Sequence, residues 1–532
     1  MTFSAPVESF GEKSVIDLYL EEQRTMTAVD KFARHHESPS GRSSRSSYRD
    51  LIPLGAPEAG QQYAFEVDLD SCSGCKACVT ACHSLNGLDE GETWRSIGLL
   101  QGVTRGSSWQ QTITTACHHC LDPECLNGCP VLAYEKDPST GIVRHLDDQC
   151  IGCQYCVMKC PYDVPKYSAR KGIVRKCDMC SQRLSEGEAP ACAQACPSQA
   201  IRIRIVEKSG VFSQYPLVPT APSSRITQPT TRYIRRNPLP NDGATIESFV
   251  KRSAPGHLPL VFMLVLTQAS VGILTLAPLI SKGSVADGTR HLLDGICGVT
   301  AWLGILFSVL HLGRPQHAWR AFLGFKRSWL SREIVFFGAY LAMVTPLFWM
   351  QDTTVATQLW RPLAVGVGWV GVGCSSMVYH DTSRDFWRLR YSATKFIGTS
   401  LLAGLAALNL ERSISGGAMI SSWWLPTVLL AAAVIKLSGE AGFLLHAGSD
   451  TGGPLKNSAL AMLNELGVVT KVRFGLGLCG IGCIMAQAYS HGRLTSIALG
   501  LGGLAMLLGG ELLERFLFFK AVAPLRMPGA LP

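Results

Sequence analysis

The chain has 532 residues, 20 of them cysteines, and its 49 basic and 40 acidic residues give a formal net charge of +9. Only 17% of its residues are charged, against roughly 25% in soluble domains, and its mean hydropathy is positive. These averages exclude a disordered or collagen-like chain and argue against a single soluble globule.

The two halves of the chain differ in charge and in cysteine content. Residues 1–255 contain 28 basic and 28 acidic residues, whereas residues 256–532 contain 21 and 12, so the whole excess lies in the second half. Sixteen cysteines lie between Cys72 and Cys196. Residues 1–30 hold no apolar core of an export signal, so we expect a reducing compartment, where clustered thiols bind metal rather than form disulfides.

Four segments follow one another along the chain. Residues 1–60 are polar and are expected to be an N-terminal extension. Residues 61–205 repeat a short alternating strand followed by a cysteine motif, and residues 200–205 alternate as a closing strand. Residues 206–255, rich in Pro, Ser, Thr and Arg, are expected to be a linker. Residues 256–525 are strongly apolar and are expected to be a membrane domain.

The clustered cysteines fall into four groups with recurring spacings. The first and third groups read C-x2-C-x2-C-x3-C, the second C-x2-C-x4-C-x3-C and the fourth C-x2-C-x11-C-x3-C. In chain order they are Cys72, Cys75, Cys78, Cys82; Cys117, Cys120, Cys125, Cys129; Cys150, Cys153, Cys156, Cys160; and Cys177, Cys180, Cys192, Cys196. In the bacterial ferredoxin motif three close thiolates wrap one cluster and the fourth ligates its neighbour. Zinc sites use two pairs separated by a longer spacer, so we expect four [4Fe–4S] clusters rather than zinc.

Eight apolar segments of the second half are candidate membrane spans, and several reach the roughly 20 residues that a bilayer needs. They lie at about 257–280, 291–312, 333–350, 362–380, 394–411, 424–446, 472–490 and 495–519. An even number of spans puts both ends on one side. Loops on that side hold 15 basic residues against five on the other, which predicts that the first side, where the cysteine-rich domain attaches, is cytoplasmic.

Two resemblances to one family cover about residues 60–525. The cysteine-rich half resembles the iron–sulfur subunit of dimethyl sulfoxide reductase-type molybdoenzymes, through Cys117-His-His-Cys-Leu-Asp-Pro-Glu-Cys125 and Cys150-Ile-Gly-Cys-Gln-Tyr-Cys-Val-Met-Lys-Cys-Pro-Tyr162. The apolar half resembles the membrane anchor of that family, through Gly256-His-Leu-Pro-Leu-Val-Phe-Met-Leu, Leu310-His-Leu-Gly-Arg-Pro315, Leu330-Ser-Arg-Glu-Ile334 and Gly509-Gly-Glu-Leu-Leu513. In the relatives these are separate subunits, and here we expect them to be fused.

The resemblance implies a ferredoxin-like α+β domain with four [4Fe–4S] clusters, followed by an all-α membrane domain of about eight helices. In that family the first and fourth cysteine groups share two clusters, and so do the second and third. Carried over, the ligand sets are Cys72, Cys75, Cys78 and Cys196; Cys82, Cys177, Cys180 and Cys192; Cys117, Cys120, Cys125 and Cys160; and Cys129, Cys150, Cys153 and Cys156.

The resemblance also implies an electron-transfer and membrane-anchor subunit for anaerobic respiration. It would oxidise menaquinol or another quinol and relay electrons to a separate molybdopterin-containing catalytic subunit. His311, Arg314 and Glu333 lie in the motifs that match the family's quinol-binding region, and a histidine with a carboxylate suits the acceptance of protons. Glu511 either joins this site or pairs with Arg515. We expect a multi-pass protein of the inner (cytoplasmic) membrane, with lipid and quinone as partners and no nucleic acid.

Three alternatives remain open at the level of sequence. Electrons could flow in reverse, toward quinone, from a partner that oxidises formate or a sulfur compound. Lys436 and Glu440, spaced i,i+4, form either a plain ion pair or part of a proton path. The cysteines could hold zinc in a membrane scaffold. If each of four clusters carries a net charge of about −2, the net charge of the first half changes from zero to about −8. This half is then predicted to dock on the basic face of the membrane domain.

Overall fold

The computed structural model describes residues 21, 50–104, 106–211, 217–240, 243–245, 254–279, 284–349, 355–415, 424–449 and 453–529. The predicted N-terminal extension therefore lies almost wholly outside the described residues. The rest folds into a cysteine-rich part, built on short strands and helices, and a bundle of long helices.

Short strands frame the cysteine-rich part. Those described are β1 (Gln61–Asp68), β2 (Ser96–Thr104), β3 (Ser107–Thr115), β4 (Tyr134–Lys136), β5 (Val143–His145), β6 (Lys166–Ser168), β7 (Ile173–Arg175), β8 (Ile201–Glu207), β9 (Arg232–Ile234) and β10 (Ala244–Thr245). They form sheets in the orders β8-β1-β9 and β10-β2-β3, and the antiparallel pairs β4-β5 and β6-β7. The closing strand predicted over residues 200–205 is confirmed as β8, whose buried Ile201 and Ile203 alternate with arginines.

Residues 206–255 do more than link the two parts. β9 pairs in parallel with β1, and β10 pairs with β2, so both three-stranded sheets are completed from this segment. The Thr230 hydroxyl also donates to the His118 carbonyl at 2.8 Å. The prediction of a plain linker therefore does not hold for the described part of this segment. Strands of two and three residues are too short to show a period in the sequence.

Five short helices follow the cysteine motifs. They are α1 (Ala77–Asn86), α2 (Glu124–Asn127), α3 (Tyr155–Lys159), α4 (Ser181–Ser185) and α5 (Ala191–Gln194). The apolar cores beside them are small and include buried cysteines such as Cys78 and Cys156. Elements this short bury little apolar surface, so bound metal has to contribute to the stability of this part.

Long helices make up the second half of the chain. They are α6 (Leu258–Leu276), α7 (Ser284–Leu310), α8 (Trp329–Val344), α9 (Val355–His380), α10 (Leu389–Ser415), α11 (Trp424–Leu444), α12 (Pro454–Leu463), α13 (Gly467–Ala488) and α14 (Arg493–Lys520). Among the described residues, eight of these helices, all except α12, are long and apolar enough to cross a membrane. This confirms the eight predicted spans. The third and fifth begin at Trp329 and Leu389, earlier than predicted, because charged residues in their first turns lower the local hydropathy.

The end of the chain returns to the cysteine-rich part. Met527 is buried in the same core as Phe65 and Leu100. Farther along, the backbone touches β2 so closely that a Cβ placed on Gly98 would lie 2.0 Å from the nitrogen of Gly529. The segment after α14 therefore completes the core that the first strands begin, and both ends of the helical bundle lie beside the cysteine-rich part.

Charged side chains form a buried network inside the bundle. Its members are Lys395, Lys436, Glu440, Arg473, Glu511, Glu514 and Arg515, carried by α10, α11, α13 and α14. Arg473 bonds Glu440 and Glu511, each at 2.9 Å, while Lys436 bonds Glu511. Lys436 and Glu440, predicted to pair along one helix, instead bond residues of other helices. These bonds connect four spans in a region where lipid offers no polar partner.

We expect Arg473→Met to destabilise the bundle by about 3–5 kcal/mol, since it leaves the buried Glu440 without its bonded cation and Glu511 with Lys436 alone. Unfolding in mixed micelles, followed by helical circular dichroism against denaturant concentration, measures the change. Lys471→Met, two residues away on the exposed face of α13, is the control and should unfold like the parent. Equal stability of both variants would show that the network does not hold the helices.

Candidate electron-transfer centre and its contact with the membrane helices

The structure places cysteines from different groups around shared cavities. One small cavity is lined by Cys72, Cys75, Cys78 and Cys196, here called the distal set. Another is lined by Cys129, Cys150, Cys153 and Cys156, here called the membrane-side set. In each set three cysteines come from one motif and the fourth from a distant one, which is the arrangement of the bacterial ferredoxin motif.

The other eight cysteines are neighbours in two further sets. Cys82, Cys177, Cys180 and Cys192 form the second set, and Cys117, Cys120, Cys125 and Cys160 form the third. Burial, followed by the charges of Cys192 and Cys180, raises the pKa of the Cys82 thiol to about 12. Thiols that are so close and so buried ionise together only when a metal neutralises them. The chemistry of these donors therefore fits iron–sulfur clusters.

The backbone of the cysteine loops is shaped to hold sulfur anions. Lys76 and Gln154, each between two cysteines of a C-x2-C-x2-C motif, adopt left-handed conformations with φ of 63° and 59°. The turns aim backbone N–H groups at sulfur: Gly152 N lies 3.4 Å from Cys150 Sγ, and Ala200 N lies 3.3 Å from Cys196 Sγ. Such concave rows of N–H groups stabilise anionic sulfur, as at other iron–sulfur sites.

Two buried cations lie among the cysteine sets. Burial alone would lower the pKa of Arg95, but the charges of thiols in the distal and second sets, including Cys192 and Cys78, raise it above its usual value. Lys176 likewise has its pKa raised by Cys117 and other thiols against the effect of burial, and its Nζ lies 3.5 Å from Cys117 Sγ. Each cation therefore stays charged and offsets negative charge between neighbouring sets.

The four sets follow one another in a line away from the helical bundle. The membrane-side and third sets meet where α2 and α3 carry cysteines of both. The third and second sets meet where Cys117 interacts electrostatically with Cys177. The second and distal sets share α1, which carries a cysteine of each. At the far end of the line Cys75 is exposed. The chain thus offers a row of redox sites that starts at the bundle and ends at a surface.

The loop after α7 makes the closest contact between the bundle and the membrane-side set. A Cβ on Gly313 would lie 2.2 Å from the carbonyl oxygen of Gly172, and one on Gly152 would lie 2.9 Å from Gly313 Cα. Only glycine allows this approach of two backbones. Arg314 and Arg320 donate to the carbonyls of Asp147 and Asp148 at 2.9 and 2.6 Å. Two of the basic residues on this face of the bundle therefore bind the cysteine-rich part through its backbone carbonyls.

Of the predicted quinol residues, His311 and Glu333 lie beside the core that contains the membrane-side set. The His311 imidazole is close to the backbone of Cys153, and its buried Nε2 has no hydrogen-bond partner among the described residues. Glu333 is buried, accepts a hydrogen bond from Ser375, and lies within electrostatic reach of Tyr155. Their chain neighbours Leu312 and Ile334 both pack on the core that contains this set.

The structure places Arg314 and Glu511 in other surroundings. Arg314 binds Asp147 and is part of the contact between the two halves. Glu511 belongs to the buried network and bonds Lys436 and Arg473. The alternative partner predicted for Glu511, Arg515, bonds Glu514 and Gln268.

Sequence reasoning missed His257, which contacts His311. The two rings meet edge to face with centroids 5.4 Å apart, and His257 also packs on Phe519. Burial, together with the charges of His311 and Arg384, lowers the pKa of His257 to about 4 and keeps the ring neutral near pH 7. His257 is part of the motif Gly256-His-Leu-Pro, but only the fold shows that it contacts His311, 54 positions later in the chain.

Comparison with known proteins agrees with this architecture. The family model for the 4Fe-4S dicluster domain matches residues 109–205, and the model for the DMSO reductase anchor subunit (DmsC) matches residues 254–520. A subunit of the anaerobic dimethyl sulfoxide reductase of Haemophilus influenzae is 36% identical over 180 residues, which is 32% of the present sequence and 87% of that protein. The chain belongs to the dimethyl sulfoxide reductase family. It joins an iron–sulfur electron-transfer part and a multi-pass membrane anchor in one polypeptide.

Two other relatives share the cysteine-rich part of this member of the dimethyl sulfoxide reductase family. Hydrogenase-2 operon protein HybA of Escherichia coli O157:H7 is 38% identical over 160 residues, 25% of the present sequence and 49% of that protein. Formate dehydrogenase-O iron-sulfur subunit of Escherichia coli K12 is 33% identical over 177 residues, 30% of the present sequence and 58% of that protein. The cysteine-rich part is therefore shared by proteins whose names refer to different reactions.

For this family member we expect Lys176→Met to make the reduction potentials of the neighbouring clusters more negative, because the added electron is no longer stabilised by a buried cation. A redox titration followed by EPR measures the shift, and iron content shows whether the clusters assemble. Lys171→Met, on an exposed side chain, should leave all potentials unchanged. Unaltered potentials in a fully loaded Lys176→Met protein would contradict the role given to this cation.

Proposed function

We propose that this chain oxidises a quinol beside the membrane-side set and relays the electrons to a separate, molybdopterin-containing catalytic subunit. One observation carries the proposal: the loop that begins at His311, at the end of a membrane helix, is bonded to the membrane-side set, where the Arg314 backbone N–H donates to the Ile151 carbonyl at 3.0 Å. A group that can accept a hydrogen bond or a proton from a quinol hydroxyl thus lies against the first redox site of the row. The family membership supports the same direction of flow.

The sixteen clustered cysteines are proposed to hold four [4Fe–4S] clusters, one in each set. When bound, the clusters supply one-electron redox chemistry at four points in a row. The chain's own part is to bury the thiolates, to direct backbone N–H groups at them, and to place Arg95 and Lys176 between the sets. The order from the bundle is the membrane-side set, the third, the second and the distal set.

The quinol head is proposed to bind between His257, His311 and Glu333. Oxidation of a quinol to a quinone releases two electrons and two protons, so the site needs acceptors for both protons. His311 Nε2 is buried and without a partner, and the neutral His257 ring is in contact with it. Glu333 is a buried carboxyl on the neighbouring element. Arg314 is assigned to docking and Glu511 to the ion network, because both are already bonded there.

We further propose that the cysteine-rich part faces the cytoplasm and that the membrane is the inner membrane. The sequence count puts 15 basic residues on the side of the bundle that binds this part and five on the other. Without Lys395, Arg473 and Arg515, which lie in the buried network, 12 remain against five, which is still the cytoplasmic pattern. The relatives named for hydrogenase and formate dehydrogenase favour a second candidate direction of electron flow, in which a partner supplies electrons and quinone accepts them. The potentials of the clusters and of the quinone pool decide between the two.

We expect His311→Ala and Glu333→Gln to leave all four clusters assembled but to block their reduction by menaquinol, because the proton acceptors at the quinol are lost. Stopped-flow absorbance of the clusters after mixing with menaquinol measures the rate, and dithionite shows that they remain reducible. His491→Ala, exposed on another loop, serves as the control. Normal menaquinol rates in both site variants would disprove the assignment.

The catalytic partner is expected to bind around Cys75, the exposed end of the row. The tagged protein purified from its native host should carry a partner that contains molybdenum. Lys76→Glu reverses an exposed charge beside Cys75 and should release the partner, whereas Lys171→Glu, near the membrane-side end, should retain it. Molybdenum analysis of each preparation is the measurement. A parent preparation without molybdenum, or full retention in Lys76→Glu, would refute the partner or its place.

A further inference from the structure

A long apolar slot opens between four membrane helices. It has a volume of about 250 Å³ and is lined by α6, α7, α10 and α14, with Phe262 at one end and Glu411 and Ile414 at the other. On α6 its wall runs from Phe262 to Ile273, which corresponds to about 16 Å along the helix. Apart from Glu411 and Thr300 every lining side chain is apolar. The slot therefore suits a hydrocarbon chain that lies along the bundle axis.

The slot begins close to the proposed quinol head site. α6 and α7 run antiparallel, so contacts between them form successive layers. His257 meets His311 in the first layer, and Phe262 stacks on Phe307 in the next, with centroids 4.9 Å apart and planes inclined by 22°. Phe262 then lines the slot. The near end of the slot is therefore about 7 Å along α6 from the two histidines, within reach of the tail of a quinol whose head lies there.

The opposite end of the slot is closed by a carboxyl group. Glu411 is only 6% exposed, and its Oε1 is buried without a hydrogen-bond partner. A carboxyl in a membrane helix requires a polar environment, and Glu411 lies only four residues before the end of α10. The hydrocarbon-lined length of the slot therefore ends at Glu411, well short of a full bilayer crossing of roughly 30 Å.

We propose that this slot holds the isoprenoid tail of the quinol whose head lies at His257 and His311. The inference rests on the proposed quinol oxidation and adds a substrate class: quinols with a tail of several isoprene units are favoured over quinols without one. When the head is bound, the tail packs in the slot instead of against lipid. The packed tail holds the head in place beside Cys153. Specificity for tail length is a property of α6, α7, α10 and α14, not of the head site.

The test uses two substitutions at adjacent positions of α7. Thr300 lines the slot, whereas Val299 is 59% exposed on the outer face of the helix. Thr300→Trp fills the slot and should raise the KM for long-tail menaquinol about tenfold or more, with no change for menadiol, which has no tail. Val299→Trp adds the same indole outside the slot and should change neither value. Ala407→Phe, from the facing wall on α10, should reproduce the effect of Thr300→Trp.

The outcomes separate this inference from the proposed function. Cluster reduction by menadiol at the parent rate shows in the same sample that each variant is folded and that its head site is intact. An unchanged KM for long-tail menaquinol in both slot variants would refute the assignment of the slot to the quinol tail, but it would not refute quinol oxidation itself. Equal losses for menadiol and long-tail menaquinol would also overturn it, since the effect would then lie at the head. If neither quinol reduces the clusters of the parent, the proposed function fails and the slot falls with it.

Discussion

The structure depends on holding sixteen clustered cysteines, nine of them buried and six partly buried, in a small protein interior. Isolated buried anions are costly, and the short strands and helices around them supply little apolar core. The chain meets this constraint with left-handed turns that aim N–H groups at sulfur, and with cations such as Arg95 and Lys176 among the sets. Most features of the cysteine-rich part, from its backbone strain to its charge, follow from that one requirement.

The same physical problem recurs in the membrane half with a different solution. There the buried carboxylates of Glu511 and Glu514 are matched by lysine and arginine from other helices, without metal. The two halves meet through the glycine contact of Gly313 with Gly172, through arginines that donate to backbone carbonyls, and through the ion pair of Lys159 with Asp381. Because the glycine contact leaves no room for a side chain, it sets how closely the loop after α7 approaches the first redox site.

Motif spacing predicted the cysteine groups, and composition predicted eight spans and their orientation relative to the cysteine-rich part. The hairpin of β2 and β3 and the strands of residues 206–255 were missed because short, polar strands carry no clear period. His257 was missed because its partner His311 is distant in the chain, and Lys436 was paired along its own helix because sequence shows i,i+4 neighbours and not neighbours across helices.

The returning tail has a consequence for how the protein is made. Met527 and Gly529 complete a core begun by β1 and β2, yet the ribosome makes them only after the described membrane helices. The core of the cysteine-rich part therefore stays incomplete until the helical bundle has been synthesised. Assembly of the metal centres and insertion into the bilayer become consecutive events on one chain, and a truncated product lacks the final closure.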